Sequence, residues 1–156
     1  MDKKHPNDYI VQMSQIVMPA DTNHFGNLSG GQLMHWIDIC GAQTAMLYST
    51  QNVVTAAIDR VSFDKPIKVG QITTLTGVVT WVGRTSMEVK VDVSVKDYKT
   101  GIIEATNKAY IVFVAVDVNL MPLPVASMII DIENKTEFIE GAKRRDQRIN
   151  LRNSAG

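Results

Sequence analysis

The sequence predicts an α+β domain in which a curved antiparallel β-sheet wraps around one long central α-helix. Residues 29–50 form the one stretch suited to a long helix, and they are apolar or small on nearly every side. Elsewhere, β-branched residues recur in runs that polar or glycine-containing turns interrupt, which is typical of strands. One strand, one helix and four further strands is an α+β order.

The predicted strands lie on both sides of this helix in the sequence. Tyr9–Met18 is rich in apolar and β-branched residues and stops at Pro19. After the helix, β-branched runs occupy residues 53–63, 72–83, 86–97 and 101–117. From Glu88 to Lys96, charged or polar residues alternate with valines, which predicts a strand with one face in water. We expect the strands to form an antiparallel meander.

Asp38 is the only side chain of the predicted helix that is fully ionised at neutral pH. A helix that is apolar on all sides is expected to be buried, and burying an unpaired carboxylate costs several kcal/mol. Asp38 therefore needs either structural partners or a chemical role. The residues that share its helical stripe are mostly small and would leave room for a substrate: Met34, Gly41, Ala42 and Ala45.

A loop of turn-forming residues leads into the helix. Ser29 or Asn27 is expected to cap it, with Gly30 and Gly31 in the first turn. Glycine is a poor helix former, but it lets another group approach the backbone closely. The free N–H groups and the positive dipole end of a helix N-terminus suit the polarisation of a carbonyl group.

Composition narrows the classes of function. The 156 residues are 45% hydrophobic and 21% charged, which suits one globular domain. Sixteen basic and sixteen acidic residues give a formal charge of +0, so we expect neither nucleic-acid binding nor attraction to an anionic membrane. The single cysteine, Cys40, and the lack of a recognisable signal peptide or apolar membrane span predict a cytoplasmic protein.

The C-terminal segment differs from the rest. We assign residues 9–130 to a single domain and residues 131–156 to a polar helix or tail. Five basic residues occur in this tail, mixed with acids: Lys143, Arg144, Arg145, Arg148 and Arg152. Weak helical spacing predicts a short docked helix followed by a frayed end. A solvated basic face is favoured over a phosphate site.

One motif joins the loop to the helix. Its members are Met18, Pro19, Asp21, Asn23, Gly26, Gly30, Gly31 and Asp38. In residue type and spacing together, this motif resembles the segment shared by hotdog-fold acyl-CoA thioesterases of the bacterial YciA and mammalian brain acyl-CoA hydrolase type. The resemblance extends from about Val11 to Val125 and implies the hotdog fold.

The resemblance also implies a site. Asp38 would be the general base or the nucleophile, and Asn23 of the neighbouring subunit would orient the attacking water or the thioester. Gly31 would contribute to catalysis at the helix N-terminus. The residues expected to bind substrate or its coenzyme A portion are Gly30, Gly83, Arg84, Thr85, Ser86 and Lys65. The enzyme would need no metal or cofactor and would form at least a dimer, with three dimers in a hexamer.

Each site residue also has a purely structural interpretation. Asp38 could bond a loop or a partner chain, and an isolated asparagine such as Asn23 is more often a turn residue. The turn from Gly83 to Ser86 could be an ordinary hairpin turn with a solvated arginine, and Lys65 is equally ambiguous. The spacing of His24 and His35 does not match a metal-binding pair one helical turn apart.

Two classes of function remain. The first is an acyl-CoA thioesterase that releases a free acid and coenzyme A. The second is a hotdog module that binds acyl-CoA without turnover, although the chain shows no DNA-binding helical domain of the kind that such regulators carry. A hotdog hydratase is a third interpretation that the motif disfavours. The absence of a Gly-x-Ser-x-Gly sequence argues against a serine hydrolase.

Overall fold

Five strands and two α-helices make up the fold in the computed structural model, which describes residues 1–59, 61–62 and 65–155. The elements are β1 (Val11–Ile16), α1 (Gly30–Ser49), β2 (Asn52–Asp59), β3 (Ile72–Val82), β4 (Ser86–Lys96), β5 (Ile103–Val116) and α2 (Lys135–Ala155), with short 3-10 helices at Pro6–Tyr9 and Pro19–Asp21. Arg60 and Phe63 of the predicted second strand, Asp64 of the following turn and Gly156 lie outside the described residues. Neither α-helix has the length and apolar character needed to cross a membrane, among the residues described.

The five strands form one antiparallel sheet in the order β1-β3-β4-β5-β2. The segment β3-β4-β5 is a meander, as predicted. The prediction is wrong for β2, which pairs with β5 at the far edge of the sheet. Because β3 has β1 on one side and β4 on the other, it offers β2 no free edge.

Helix α1 lies against the inner face of the sheet and contacts all five strands. Its wholly buried side chains include Ile37, Cys40 and Tyr48, and they join one core with the inward-facing residues of β3, β4 and β5. Gly77 of β3 allows α1 to pack closely on the sheet, since a Cβ at this position would lie 2.3 Å from Thr44 Oγ1 of the helix. This arrangement confirms the predicted hotdog architecture of a curved sheet around a long helix.

The other side of α1 is uncovered in the single chain. Ile39, Met46 and Leu47 are 36%, 44% and 56% exposed. The expectation that this helix is buried on every side is therefore wrong for one chain alone. Asp38 is half-buried at the margin of this uncovered side.

Helix α2 covers the outer face of the sheet. It continues to Ala155, so the prediction of a short helix with a frayed tail is wrong. The outer face of β4 is also less exposed to solvent than predicted, because Glu88 is 0% exposed beneath α2. Arg144 of α2, which is 6% exposed, donates to both carboxylate oxygens of Glu88 at 2.9 Å. A solvated basic face was therefore the wrong interpretation for this arginine.

Candidate active site

The carboxylate of Asp38 is held by a hydroxyl from the edge strand. Thr55 Oγ1 donates a hydrogen bond of 2.8 Å to Asp38 Oδ1. Thr55 faces inward because it pairs with Phe113, a core residue of β5, and the irregularity between Thr55 and Ala57 turns the rest of β2. The hydrogen bond engages one carboxylate oxygen, and no other described residue donates to the second oxygen, which can accept from a water or a substrate.

Asn23 lies in the loop before α1, where its backbone and side chain shape a tight turn. Its Oδ1 accepts from the N–H groups of Phe25 at 3.0 Å and Asn27 at 3.3 Å. Gly26 completes the turn with a φ of +80°, which glycine adopts readily. Because the turn uses the amide oxygen, the Nδ2 of Asn23 remains as a donor for another group. The interpretation of Asn23 as a turn residue thus accounts for its Oδ1 but not for its Nδ2.

The N-terminus of α1 opens onto a cavity of about 250 Å³. Ser29 is the cap, and its Oγ accepts from Gln32 N at 3.1 Å, as predicted for this residue. The backbone N–H groups of Gly30 and Gly31 have no acceptor among the described residues, and the space beside Gly31 is open. Asn23, Gly30 and Lys65 line the cavity. These donors are placed to bind a polarised oxygen.

Asn23 and Asp38 do not meet within one chain. Asn23 lines the cavity at the start of α1, whereas Asp38 does not line it. Asp38 lies eight positions after Gly30, which corresponds to about 12 Å along a helix. Asp38 instead borders β2, which has a neighbour on one side only. A single chain therefore presents two incomplete halves of the predicted site.

The residues that were predicted to bind coenzyme A do not all line the same cavity. Thr85 and Ser86 line a second cavity, of about 600 Å³, on the outer face of the sheet. Gly83 closes the turn by donating its N–H to Ser86 O at 2.8 Å, and Arg84 is exposed but does not line this cavity. Lys65 lies beside Asn23 and pairs with Glu104 at 3.1 Å.

Sequence reasoning missed two parts of these sites. Thr55 gave no signal, because threonine is common in strands and its bond to Asp38 joins elements that the pattern does not connect. The arginines of α2 were noticed, but their position beside Thr85 and Ser86 depends on tertiary packing. Among the described residues, no three His, Cys, Asp or Glu side chains cluster as metal ligands do.

The chain thus combines a curled sheet around a long helix with a mid-helix carboxylate, Asp38, that is bonded to the edge-strand hydroxyl of Thr55. A family model described as "Thioesterase superfamily" matches residues 25–102. An uncharacterized acyl-CoA thioester hydrolase of Bacillus subtilis, YkhA, is 39% identical over 83% of this chain and 75% of its own length. Two mouse thioesterases also match, but the chain spans only 23% of one and 26% of the other.

Solved structures agree in fold along nearly the whole chain. An apo-hexameric acyl-CoA thioesterase superposes with a TM-score of 0.91 at 34% identity, covering 97% of both chains. An acyl-CoA hydrolase from Staphylococcus aureus, solved with butyryl coenzyme A, coenzyme A and coenzyme A disulfide, has a TM-score of 0.91 at 32% identity over 98% of this chain and 94% of its own. The chain therefore belongs to the hotdog-fold acyl-CoA thioesterase family.

Proposed function

We propose that this protein hydrolyses the thioester of acyl-CoA to a free carboxylic acid and coenzyme A, with Asp38 as the reacting carboxylate. The observation that carries the proposal is the hydrogen bond of 2.8 Å from Thr55 to Asp38. It holds a carboxylate in a fixed orientation at the margin of an apolar helix. Such preorganisation is what general-base or nucleophilic catalysis requires.

Two routes give the same products. As a general base, Asp38 takes a proton from water while the water oxygen attacks the thioester carbon, and the C–S bond then breaks to release a thiolate that is protonated. As a nucleophile, Asp38 attacks the carbon and expels the thiolate, and water hydrolyses the resulting anhydride. In both routes, negative charge develops on the carbonyl oxygen, and the N–H groups of Gly30 and Gly31 are candidates to stabilise it.

The missing half of the site would come from a second copy of the chain. Pairing of two β2 edges would continue the sheet and satisfy the unpaired backbone groups of this strand. It would also cover Val54 and Ile58, which are 40% and 39% exposed. A two-fold axis at this edge would bring Asn23 of one subunit towards Asp38 of the other, with the Nδ2 of Asn23 free to orient the water or the thioester.

Three variants of the staphylococcal enzyme support this set of residues. An asparagine, an aspartate and a threonine of that enzyme were each replaced by alanine for structural and biochemical characterisation. Their position numbers differ by 15 and by 17, as do those of Asn23, Asp38 and Thr55 here. The spacing supports equivalent roles for the three residues in this chain.

The assembly is proposed on the same basis. Solved relatives include three described as hexameric. We expect a hexamer of three dimers, in which each dimer has the continuous sheet described above. No cofactor enters the proposed reaction, since coenzyme A is part of the substrate, and the buried Cys40 suits a cytoplasmic location.

The direct test is thiol release from a panel of acyl-CoAs, from acetyl to palmitoyl. Asp38→Asn removes the negative charge but keeps the side-chain shape, so we expect turnover to fall by about a thousandfold or more. Asp92→Asn, on the outer face of β4, is the matched control and should retain activity. Binding of acyl-CoA without thiol release by the unmodified protein would instead indicate a non-catalytic acyl-CoA-binding module.

A further inference from the structure

Gly41 lies in the middle of α1, where glycine is unfavourable for a helix. Its backbone does not require glycine, because it has helical geometry and is not among the glycines with positive φ. Helix propensity alone would favour alanine at this position. The structural reason for glycine is therefore sought in what packs against this point of α1.

The aromatic ring of Phe113 occupies the space beside Gly41. A Cβ at Gly41 would lie 2.9 Å from Cε2 and 3.0 Å from Cζ of Phe113, and 3.2 Å from Cδ1 of Ile111. Packed carbon atoms are normally about 3.5–4.0 Å apart. Both β5 side chains are wholly buried, so the close-packed core gives them little space to move into. The room that was expected here for a substrate is therefore filled by the core of the same chain.

This contact is close to the proposed reacting carboxylate. Gly41 follows Asp38 by three positions, which is about one helical turn. On the sheet, Phe113 pairs directly with Thr55, and the hydroxyl of Thr55 donates to Asp38 at 2.8 Å. The packing contact and the hydrogen bond thus join the same two parts of the fold, α1 on one side and the paired strands β5 and β2 on the other. One contact can therefore set the spacing that the other needs.

We infer that Gly41 and Phe113 are positioning residues, which set the distance between Asp38 and Thr55. The inference rests on the proposed function, in which Asp38 is the reacting carboxylate. A methyl group at Gly41 would press α1 away from β5 until its contact with Phe113 lengthened from 2.9 Å to about 3.5 Å. A similar displacement would stretch the hydrogen bond of 2.8 Å beyond the usual O–H···O range of about 2.5–3.0 Å.

The first test is Gly41→Ala, assayed with the acyl-CoA that the panel identifies as best. We expect kcat to fall about tenfold with KM unchanged, because the carboxylate loses its orientation while the groups that bind substrate stay in place. Crystal structures of the unmodified and variant proteins should show a longer distance between Asp38 and Thr55 in the variant. An unchanged distance would overturn the inference even if the protein hydrolysed no acyl-CoA, so its failure differs from failure of the proposed function.

A double-mutant cycle tests whether Gly41 acts through Thr55. Thr55→Val removes the hydroxyl, so adding Gly41→Ala to this variant should lower kcat no further. Losses that multiply would show that Gly41 affects the reaction by another route and would overturn the inference.

Phe113→Leu provides a rescue, because it removes the ring atoms that the new methyl group would meet. The double variant Gly41→Ala/Phe113→Leu should have the same kcat as Phe113→Leu alone. This comparison remains valid if Gly41→Ala by itself does not fold. A folded double variant with a kcat about tenfold below that of Phe113→Leu would contradict the inference.

Gly77→Ala is the matched control, because it crowds the same helix from a different strand. A Cβ at Gly77 would lie 2.3 Å from Thr44 Oγ1, six positions beyond Asp38 and on β3, not on the strands that carry Thr55 and Phe113. We expect a lower unfolding temperature and an unchanged kcat for the folded protein. A loss of kcat equal to that of Gly41→Ala would overturn the inference, since any crowding of α1 would then have the same effect.

Discussion

Thr55 is the residue whose side chain links the edge strand to the carboxylate of α1. Its hydroxyl donates to Asp38, and Thr55→Val removes that donor while keeping nearly the same volume. A hydrogen bond to a charged group contributes about 1.5–3 kcal/mol, so we expect kcat to fall about tenfold to a hundredfold. Steady-state thiol release, with thermal unfolding measured in parallel, tests this expectation.

The control for this prediction is Thr76→Val. Thr76 lies on β3, and its hydroxyl accepts from Gln12 at 3.3 Å on an exposed part of the sheet. This variant should keep the kcat of the unmodified enzyme. If both variants lost activity equally, the effect would belong to the sheet and not to the orientation of Asp38.

Cys40 lies wholly within the core, and its burial raises the pKa of the thiol to about 11. The unfolded thiol ionises near pH 9, so the unfolded state loses its proton first between about pH 9 and pH 11. The free energy of unfolding should therefore decrease over this range. Urea unfolding at about pH 8 and about pH 10 should show a smaller decrease for Cys40→Ala.

The same burial has a practical consequence for the activity assay. Cys40 should react slowly with a disulfide reagent in the folded protein and quickly after denaturation, because the thiolate is the reactive form. Rapid reaction of the native protein would contradict the described burial of this side chain. Comparison with Cys40→Ala separates the protein thiol from released coenzyme A.

At the scale of elements, local chemistry predicted α1 well. The cap at Ser29 and the apolar run up to Ser49 are visible in the sequence, and the helix begins and ends within one residue of the predicted bounds. The position of β2 was not visible, because the choice between β3 and β5 as its partner depends on the whole sheet. The length of helix α2 was underestimated because the helix is anchored through Arg144 to Glu88, which is 56 residues away in the sequence.

That anchor gives a prediction about how α2 is attached. Glu88 is wholly buried, and it also accepts from Thr80 Oγ1 at 2.6 Å. Burial alone would lower the pKa of Arg144, but the hydrogen bond and charge of Glu88 raise it on balance, so the guanidinium stays charged. Arg144→Ala would remove both guanidinium hydrogen bonds to this buried carboxylate, leaving Arg148 at 3.8 Å as its remaining cation, and should cost about 3 kcal/mol in urea unfolding.

The double variant Glu88→Leu/Arg144→Met tests the cause of that loss. It removes both charges and fills most of the space, so it should recover much of the stability that Arg144→Ala loses. If the double variant were less stable than Arg144→Ala, the loss would reflect stacking of the Arg144 guanidinium on Tyr110, whose ring centroid is 3.7 Å from Cζ. Hydrogen exchange of the α2 amides would show whether the helix detaches.

At the scale of the whole molecule, the sequence predicts Asp38 and Asn23 as the reacting groups, and the resemblance to a family supplies the expectation that they come from two subunits. Asp38 is a candidate because it is the one ionised side chain of an apolar helix. Asn23 is a candidate because it belongs to the motif that joins the loop to this helix. Their separation within one chain follows from α1, which places Asp38 eight positions beyond Gly30 at the helix N-terminus. The uncovered face of α1 and the unpaired edge of β2 together indicate where a second chain belongs.

A site shared between subunits predicts that two inactive variants restore each other. Asn23→Ala and Asp38→Ala each disable every site in their own dimers. In a mixed dimer, Asn23 of one chain meets Asp38 of the other at one site, while the second site lacks both. Random mixing makes half of the dimers mixed, so co-expression should recover about a quarter of the unmodified activity.

The control is to mix the two proteins below the temperature at which subunits exchange, where no activity should return. Activity that stays absent after co-expression, with mixed dimers verified by mass spectrometry, would show that each chain forms its site alone. In that event, Asn23 would have to reach Asp38 across about 12 Å of helix within one subunit. The loop would then have to move, because the hydrogen bonds of Asn23 to Phe25 and Asn27 hold it at the start of α1.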